Sequence, residues 1–203
     1  MSFTSDTEWP RKLTRVFEIL KHKPTNTAQE SRYYSGYNKM LTHCFRDSLD
    51  YTVAPQVPPP IAPRESLDFM VWLLVFDEDL KPVLLVEVKD DSWLSRPSTR
   101  EGADAQMRAR YEDILVECPL TKLYGISFIG TKMRVYSGDF AALELTPPPS
   151  PRPDANRILP KDHLEGEWEL DIFSPEGFAK MQEIVRFIRR KGDEMTGNPL
   201  HLD

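Results

Sequence analysis

Two apolar runs in the middle of the chain, residues 67–76 and 83–89, have the length and composition of buried β-strands. The segment between them, residues 77–82, is short and polar and contains a proline. Such a connection allows the two runs to fold back on each other. The pattern therefore predicts an antiparallel hairpin at the centre of the fold.

Three charged residues interrupt this apolar hairpin. Asp68 stands near the start of the first run, and Glu87 and Lys89 end the second. Because side chains alternate across a strand, Glu87 and Lys89 point to one face, and the hairpin brings them beside Asp68. Charges on a buried strand are costly to desolvate unless they have a partner or a role. A divalent-metal site is one interpretation; the other is that Lys89 pairs with a single acid to close the strand end.

The remaining periodicities predict one α/β domain. Apolar residues at helical spacing predict helices whose approximate limits are residues 5–23, 26–45, 102–115 and 174–191. Alternating patterns predict further strands near residues 51–53, 122–129, 133–137, 143–145 and 167–171. Asn26 or Thr27 is expected to cap the second helix, and Gly192 to stop the last one. Two proline-rich stretches, residues 55–63 and 147–160, are expected to be loops.

Length and composition agree with a single globular domain. The chain has 203 residues, of which 40% are hydrophobic and 29% charged, and it has no apolar run of about 18 residues that could span a membrane. Its first residues lack the basic start and apolar core of a secretory signal. The two cysteines, Cys44 and Cys118, are expected to be buried thiols. These features predict an intracellular protein, cytoplasmic or nuclear, rather than a secreted one.

The acid on one strand followed by Glu-x-Lys on the next resembles the core motif of the PD-(D/E)XK nuclease superfamily. Asp68 matches the first acid, Glu87 the second and Lys89 the lysine. The proline that usually precedes the first acid is replaced here by Leu67. The resemblance covers about residues 26–137 and implies a restriction-endonuclease-like core. In that fold a central mixed β-sheet is flanked by helices.

Two helical positions extend the resemblance. Many members of the superfamily carry a glutamate on a helix upstream of the first strand, and Glu30 occupies that place. Many also carry a glutamine on the helix after the lysine, where this chain has Gln106. Each has an ordinary alternative: Glu30 can stabilise a helix N-terminus, and Gln106 can be a surface residue at the edge of a buried stripe.

The resemblance implies metal-dependent hydrolysis of phosphodiester bonds with Mg²⁺ or Mn²⁺. The implied metal ligands are Asp68, Glu87, the Val88 carbonyl and Glu30. Lys89 would orient or deprotonate the attacking water, and Gln106 would position the site. The rival function is a catalytically inactive protein of the same fold that serves as a protein-interaction module.

The charge balance limits how a nucleic acid could bind. The net charge is −6 and the pI about 5.3, whereas nucleic-acid binders usually present a basic face. Contacts must therefore come from a local cluster. The candidates are Arg96 and Arg100 in a loop after the site and Arg108 and Arg110 on the next helix, although acids among them also suit a solvated mixed-charge helix. We expect the nucleic acid to be DNA rather than RNA and expect no membrane partner; a homodimer is left open.

Overall fold

The computed structural model describes residues 2–22, 30–46, 48–57, 67–75, 79–151 and 158–197. Its α-helices are α1 (Arg11–His22), α2 (Tyr34–Phe45), α3 (Pro97–Ile114) and α4 (Pro175–Thr196). Its strands are β1 (Tyr51–Val57), β2 (Leu67–Val75), β3 (Asp79–Lys89), β4 (Lys122–Ile129), β5 (Lys132–Asp139), β6 (Glu144–Thr146) and β7 (Leu170–Asp171). Short 3₁₀ helices occur at Phe3–Ser5, Glu30–Tyr33, Asp91–Ser95 and Leu115–Glu117.

The strands form one mixed sheet in the order β1-β2-β3-β4-β5-β6, and β7 pairs with β5. Neighbours are antiparallel except β3 and β4, which are parallel and are connected through α3. The β2–β3 hairpin predicted from the apolar pattern is confirmed, with Phe69 opposite Val86. A central mixed sheet flanked by helices, with a C-terminal helix, is therefore the architecture of the chain.

Helices cover both faces of the sheet. Met107 and Tyr111 of α3 pack so closely over Gly125 that a Cβ added there would meet the Tyr111 hydroxyl at 2.7 Å. On the opposite face the Tyr37 ring of α2 stacks on Phe128, with ring centroids 4.2 Å apart. Side chains of odd-numbered β4 residues thus face α3, and those of even-numbered residues face α2. Both faces are buried, which explains why the central strands are almost uninterrupted apolar runs.

Three predicted helix boundaries are wrong. The first helix begins at Arg11 rather than near residue 5, and residues 6–10 are not helical. Helix α3 begins at Pro97, not after Gly102, because proline suits the first helical position with its fixed φ. Helix α4 continues through the buried Gly192 to Thr196. It ends at Gly197, whose φ of 69° is the left-handed conformation that favours glycine.

Several other predictions fall wholly or partly outside the described residues. The capping positions Asn26 and Thr27 lie outside them; the described helical backbone begins at Glu30. Residues 55–57 belong to β1 rather than to a loop, and residues 58–63 lie outside the described part. Of the second proline-rich stretch, residues 147–151 and 158–160 form no helix or strand, and residues 152–157 are outside. Among the described helices, none has both the length and the apolarity of a membrane span.

Candidate metal centre

Asp68, Glu87 and Lys89 converge at one end of the sheet. The pairing of Phe69 with Val86 places Asp68 opposite Glu87, so the two carboxylates share the face covered by α3. The Lys89 Nζ lies 4.0 Å from Glu87 Oε2 on the same side. Asp68 is 5% exposed, Glu87 3% and Lys89 4%. Two carboxylates and an ammonium are thus buried together, as the alternation of side chains along β3 predicts.

Both carboxylate oxygens of Asp68 accept hydrogen bonds. The Val88 backbone N–H donates to Oδ2 at 2.5 Å, because Val88 lies two residues beyond Val86, where the paired part of the hairpin ends. The Tyr34 hydroxyl donates to Oδ1. Tyr34 stands at the start of α2, so this bond ties the helix to the candidate site. The sequence predicts that Tyr34 faces inward, but local periodicity contains no information about this contact.

Replacing Tyr34 by phenylalanine is expected to weaken divalent-metal binding about 10- to 100-fold, the usual cost of losing an outer hydrogen bond to a metal ligand. The variant keeps the ring that packs at the start of α2, so the fold should be retained. Mn²⁺ titration of the two proteins measures the effect. Tyr124→Phe is the control, because the Tyr124 ring packs against Phe187 of α4 and not against the carboxylates. Equal affinities for wild type and Tyr34→Phe would remove Tyr34 from the site.

The surroundings of Glu87 disfavour the ionised form of its carboxyl group. Burial is the main reason why its pKa is raised to about 7, and the neighbouring Asp68 charge raises it further. Lys89 and Arg110 oppose that rise, and the Arg110 Nε lies 3.2 Å from Glu87 Oε1. At neutral pH the carboxyl group is therefore divided between its protonated and ionised forms. A hard cation bound at Asp68 and Glu87 would favour the ionised form.

In the metal-free protein, the free energy of unfolding is expected to fall as the pH rises from about 4.5 to about 7. The pKa of Glu87 is higher in the folded protein than its ordinary value of 4.5, which applies to the unfolded chain. Between these two pKa values the folded state binds more protons than the unfolded state, so raising the pH lowers the stability of the fold. The full difference corresponds to about 3 kcal/mol, since each pH unit is worth about 1.4 kcal/mol. Urea unfolding with chelator at pH 5, 6 and 7.5 measures it. Glu87→Gln should flatten the profile; an unchanged slope would contradict the assignment.

A second set of contacts immobilises the chain just after Lys89. The Lys89 ammonium lies 5.1 Å from the centroid of the Trp93 ring, close enough for a cation–π interaction. The Arg32 guanidinium is 2.7 Å from Asp90 and 2.5 Å from Asp91. The periodicity of the sequence does not predict these contacts of Arg32, Asp90, Asp91 and Trp93. The only sequence signal at this position is the pair of consecutive acids, Asp90 and Asp91, directly after the Glu-x-Lys motif.

The four arginines proposed as nucleic-acid contacts are placed differently from one another. Arg100 belongs to α3 rather than to a loop, is 5% exposed, and donates to the carbonyls of Leu94, Lys161 and His163. Arg110 is 4% exposed and faces Glu87.

Because their guanidinium groups are buried, Arg100 and Arg110 are not placed to bind a phosphate backbone. Arg108 bonds to Asp104 and to the Pro147 and Pro148 carbonyls. Arg96 is exposed at the start of α3. Of the four, only Arg96 therefore presents its guanidinium fully at the surface.

The two helical residues that extend the resemblance are described to different extents. Gln106 is half-buried on α3, one turn before Arg110, so both lie on the side of the helix near Glu87. Glu30 opens the 3₁₀ helix Glu30–Tyr33, directly before α2. The Glu30 side chain lies outside the described part of the structure, so its role as a metal ligand stays a prediction.

The donor set fits a hard divalent cation. Asp68, Glu87 and the Val88 carbonyl offer only oxygen atoms, and Mg²⁺ is commonly held by one or two carboxylates together with water and substrate phosphate. Among the described side chains, which do not include that of Glu30, no group of three or more His, Cys, Asp or Glu is arranged to hold a metal. Asp68 and Glu87 thus form a two-carboxylate pair rather than a closed metal cage.

Comparisons of the chain with protein-family models, with curated proteins and with solved structures found no match. The function therefore has to be argued from the site itself. Its distinguishing feature is a buried pair of carboxylates with a lysine on the same side and an arginine against one of the acids.

Proposed function

We propose that the protein is a metal-dependent nuclease with a restriction-endonuclease-like core, which hydrolyses phosphodiester bonds in nucleic acid. The observation that carries the proposal is the burial of Asp68 and Glu87 at one strand end with the Lys89 ammonium beside them. The element order supports it, because an antiparallel hairpin is followed by a helix and a parallel strand, as the resemblance requires.

Asp68, Glu87 and the Val88 carbonyl would hold Mg²⁺ or Mn²⁺, with Glu30 assisting. The bound ion would supply Lewis-acid stabilisation of the scissile phosphate. Lys89, held 4.0 Å from Glu87, would orient the attacking water and, as an ammonium, balance the negative charge that develops on the phosphoryl oxygens; in its neutral form it would deprotonate that water. Gln106 would support this arrangement from α3.

The neighbouring contacts keep the three side chains in place before substrate arrives. Tyr34 and the Val88 N–H hold the Asp68 carboxylate from both oxygens. The Trp93 ring lies against the Lys89 ammonium. Catalytic groups that are held in position need little rearrangement at the moment of reaction, which lowers the barrier.

Cleavage of labelled nucleic acids tests the proposal. Single-stranded, double-stranded and branched DNA and RNA are incubated with Mg²⁺, with Mn²⁺ or with chelator. Cleavage of at least one substrate is expected with metal and none with chelator. Glu87→Gln should abolish it, whereas Glu112→Gln, which changes an exposed carboxylate of α3, should not. Absence of cleavage from every substrate with either metal would refute the proposal.

One observation favours the second candidate, a catalytically inactive protein of this fold that acts as a protein-interaction module. Arg110 already lies 3.2 Å from Glu87, and Lys89 lies beside the same acid. Two cations therefore already face Glu87. This alternative predicts a melting temperature that does not respond to Mg²⁺, whereas a metal site gains about 2.7 kcal/mol at a hundredfold excess over the dissociation constant.

A further inference from the structure

The first α-helix carries a charge opposite to that of the whole protein. Helix α1 contains four cationic residues and a single acid, Glu18, so it has a formal charge of +3. The cations are Arg11, Lys12, Arg15 and Lys21. Because the whole chain has a net charge of −6, the remainder sums to −9. Helix α1 is therefore a basic element on an acidic protein.

These cations are presented outward. Leu13 and Phe17 anchor α1 in the core with 3% and 2% exposure, whereas Arg11, Lys12 and Lys21 are exposed. Arg15 is paired with Glu18 at 2.8 Å. Among the described residues, no carboxylate forms an ion pair with the other three. Their charge is thus available to a partner.

Helix α1 packs directly on the element that reaches the carboxylates. Its Phe17 ring contacts Tyr33 and Tyr37, with centroids 6.2 and 4.9 Å away. Tyr34, between those two residues, donates to Asp68. The helix is about 18 Å long at 1.5 Å per residue, and duplex DNA carries one negative charge per about 1.7 Å of axis. A bound duplex could therefore present several phosphates to α1.

We propose that the exposed face of α1 binds the phosphodiester backbone of the nucleic acid that the Asp68–Glu87 site cleaves. The inference rests on the proposed nuclease function. It explains how an acidic chain attracts a polyanion, since Arg100 and Arg110, which the sequence suggested for that purpose, are buried. Lysine and arginine side chains on a helix surface contact phosphates without regard to base sequence, so binding should be unspecific and sensitive to salt.

Binding of a fluorescein-labelled DNA duplex is measured by anisotropy in chelator, which prevents cleavage, between 50 and 200 mM salt. The α1 variant combines Arg11→Gln, Lys12→Gln and Lys21→Gln. The control variant combines Lys161→Gln, Lys180→Gln and Arg190→Gln, which lie on other elements. Each variant removes three positive charges, so both have the same net charge. Circular dichroism verifies that both are folded.

The α1 variant is expected to bind at least about tenfold more weakly at 50 mM salt. Lys12 and Lys21, nine residues apart, point to opposite sides of the helix, so one duplex contacts Arg11 and one of the two lysines. The slope of log affinity against log salt should therefore be smaller by about 1.8, at about 0.9 per lost phosphate contact. The control variant should bind like wild type. Equal binding by the two variants, or wild-type binding to anionic lipid vesicles but not to nucleic acid, would overturn the inference.

Cleavage assays on the same proteins separate this inference from the proposed function. Metal-dependent cleavage by wild type together with equal binding by both variants would leave the nuclease intact and remove α1 from it. Selective loss of binding in the α1 variant, without cleavage by wild type under any metal, would support the α1 surface and refute the nuclease.

Discussion

Lys89→Ala is expected to reduce nucleic-acid cleavage at least about a hundredfold, as for the loss of a positioned acid–base or charge-stabilising group. Divalent-metal binding should stay the same or become tighter, because removing the ammonium near Glu87 removes repulsion from the incoming cation. The combination of lost turnover with retained metal affinity is specific to a lysine that acts on the substrate.

Cleavage rates of wild type and Lys89→Ala are compared at saturating Mn²⁺, and their Mn²⁺ affinities are compared by titration. Lys81→Ala is the matched control, because Lys81 lies on the same strand at its exposed end, 2.8 Å from Asp79. It should cleave like wild type. Unchanged cleavage by Lys89→Ala would assign Lys89 to a structural ion pair.

Asp68→Asn is expected to abolish the stabilisation that divalent metal gives, while the metal-free protein becomes no less stable than wild type. Asparagine keeps the size of the side chain, and its oxygen can accept from the Val88 N–H while its amide group faces the Tyr34 hydroxyl. Removal of the Asp68 charge also relieves the repulsion that raises the pKa of Glu87.

The inactive-protein alternative predicts the reverse for Asp68→Asn. If Asp68 serves only to neutralise buried cations, the asparagine leaves a buried positive charge uncompensated, at a cost of about 3–5 kcal/mol. Melting curves with Mg²⁺ and with chelator distinguish the two. Asp79→Asn, at an exposed ion pair, controls for the amide substitution. A metal-insensitive wild type with a strongly destabilised Asp68→Asn would refute the nuclease.

The strands that carry the site were predictable because their signal is local. Residues 67–76 and 83–89 are apolar runs of strand length, and side-chain alternation alone places Glu87 and Lys89 on one face. The short polar connection then determines that β2 and β3 are antiparallel, which brings Asp68 opposite Glu87. These steps use neighbours in sequence and need no knowledge of tertiary packing.

The arginines show where this logic fails. Arg100 and Arg110 were expected at the surface, because charged side chains are rarely buried unless they are paired. Arg110 is buried because α3 lies against β3 and brings it to Glu87, 23 positions earlier in the chain. Arg100 is buried because residues 161–163 fold over α3 and offer it carbonyl groups. Such partners are distant in sequence and leave no periodic pattern.

The contact of Tyr34 with Asp68 was missed for the same reason. The periodicity of α2 indicates only that Tyr34 turns inward, and the hydrogen bond depends on how α2 lies against the end of β2. The boundary errors have a different origin. The pattern predicts a helix start after Gly102 and a stop at Gly192, but tertiary packing outweighs the low helix propensity of glycine at both positions.

The central claim is that Asp68 and Glu87 form a divalent-metal site, and Mn²⁺ located in crystals of the protein tests it most directly. Anomalous scattering should show one strong peak about 2 Å from oxygen atoms of both carboxylates, with the Arg110 guanidinium moved away from Glu87. Crystals grown in saturating Mn²⁺ that show no peak at this position, with Arg110 still bonded to Glu87, would contradict the account.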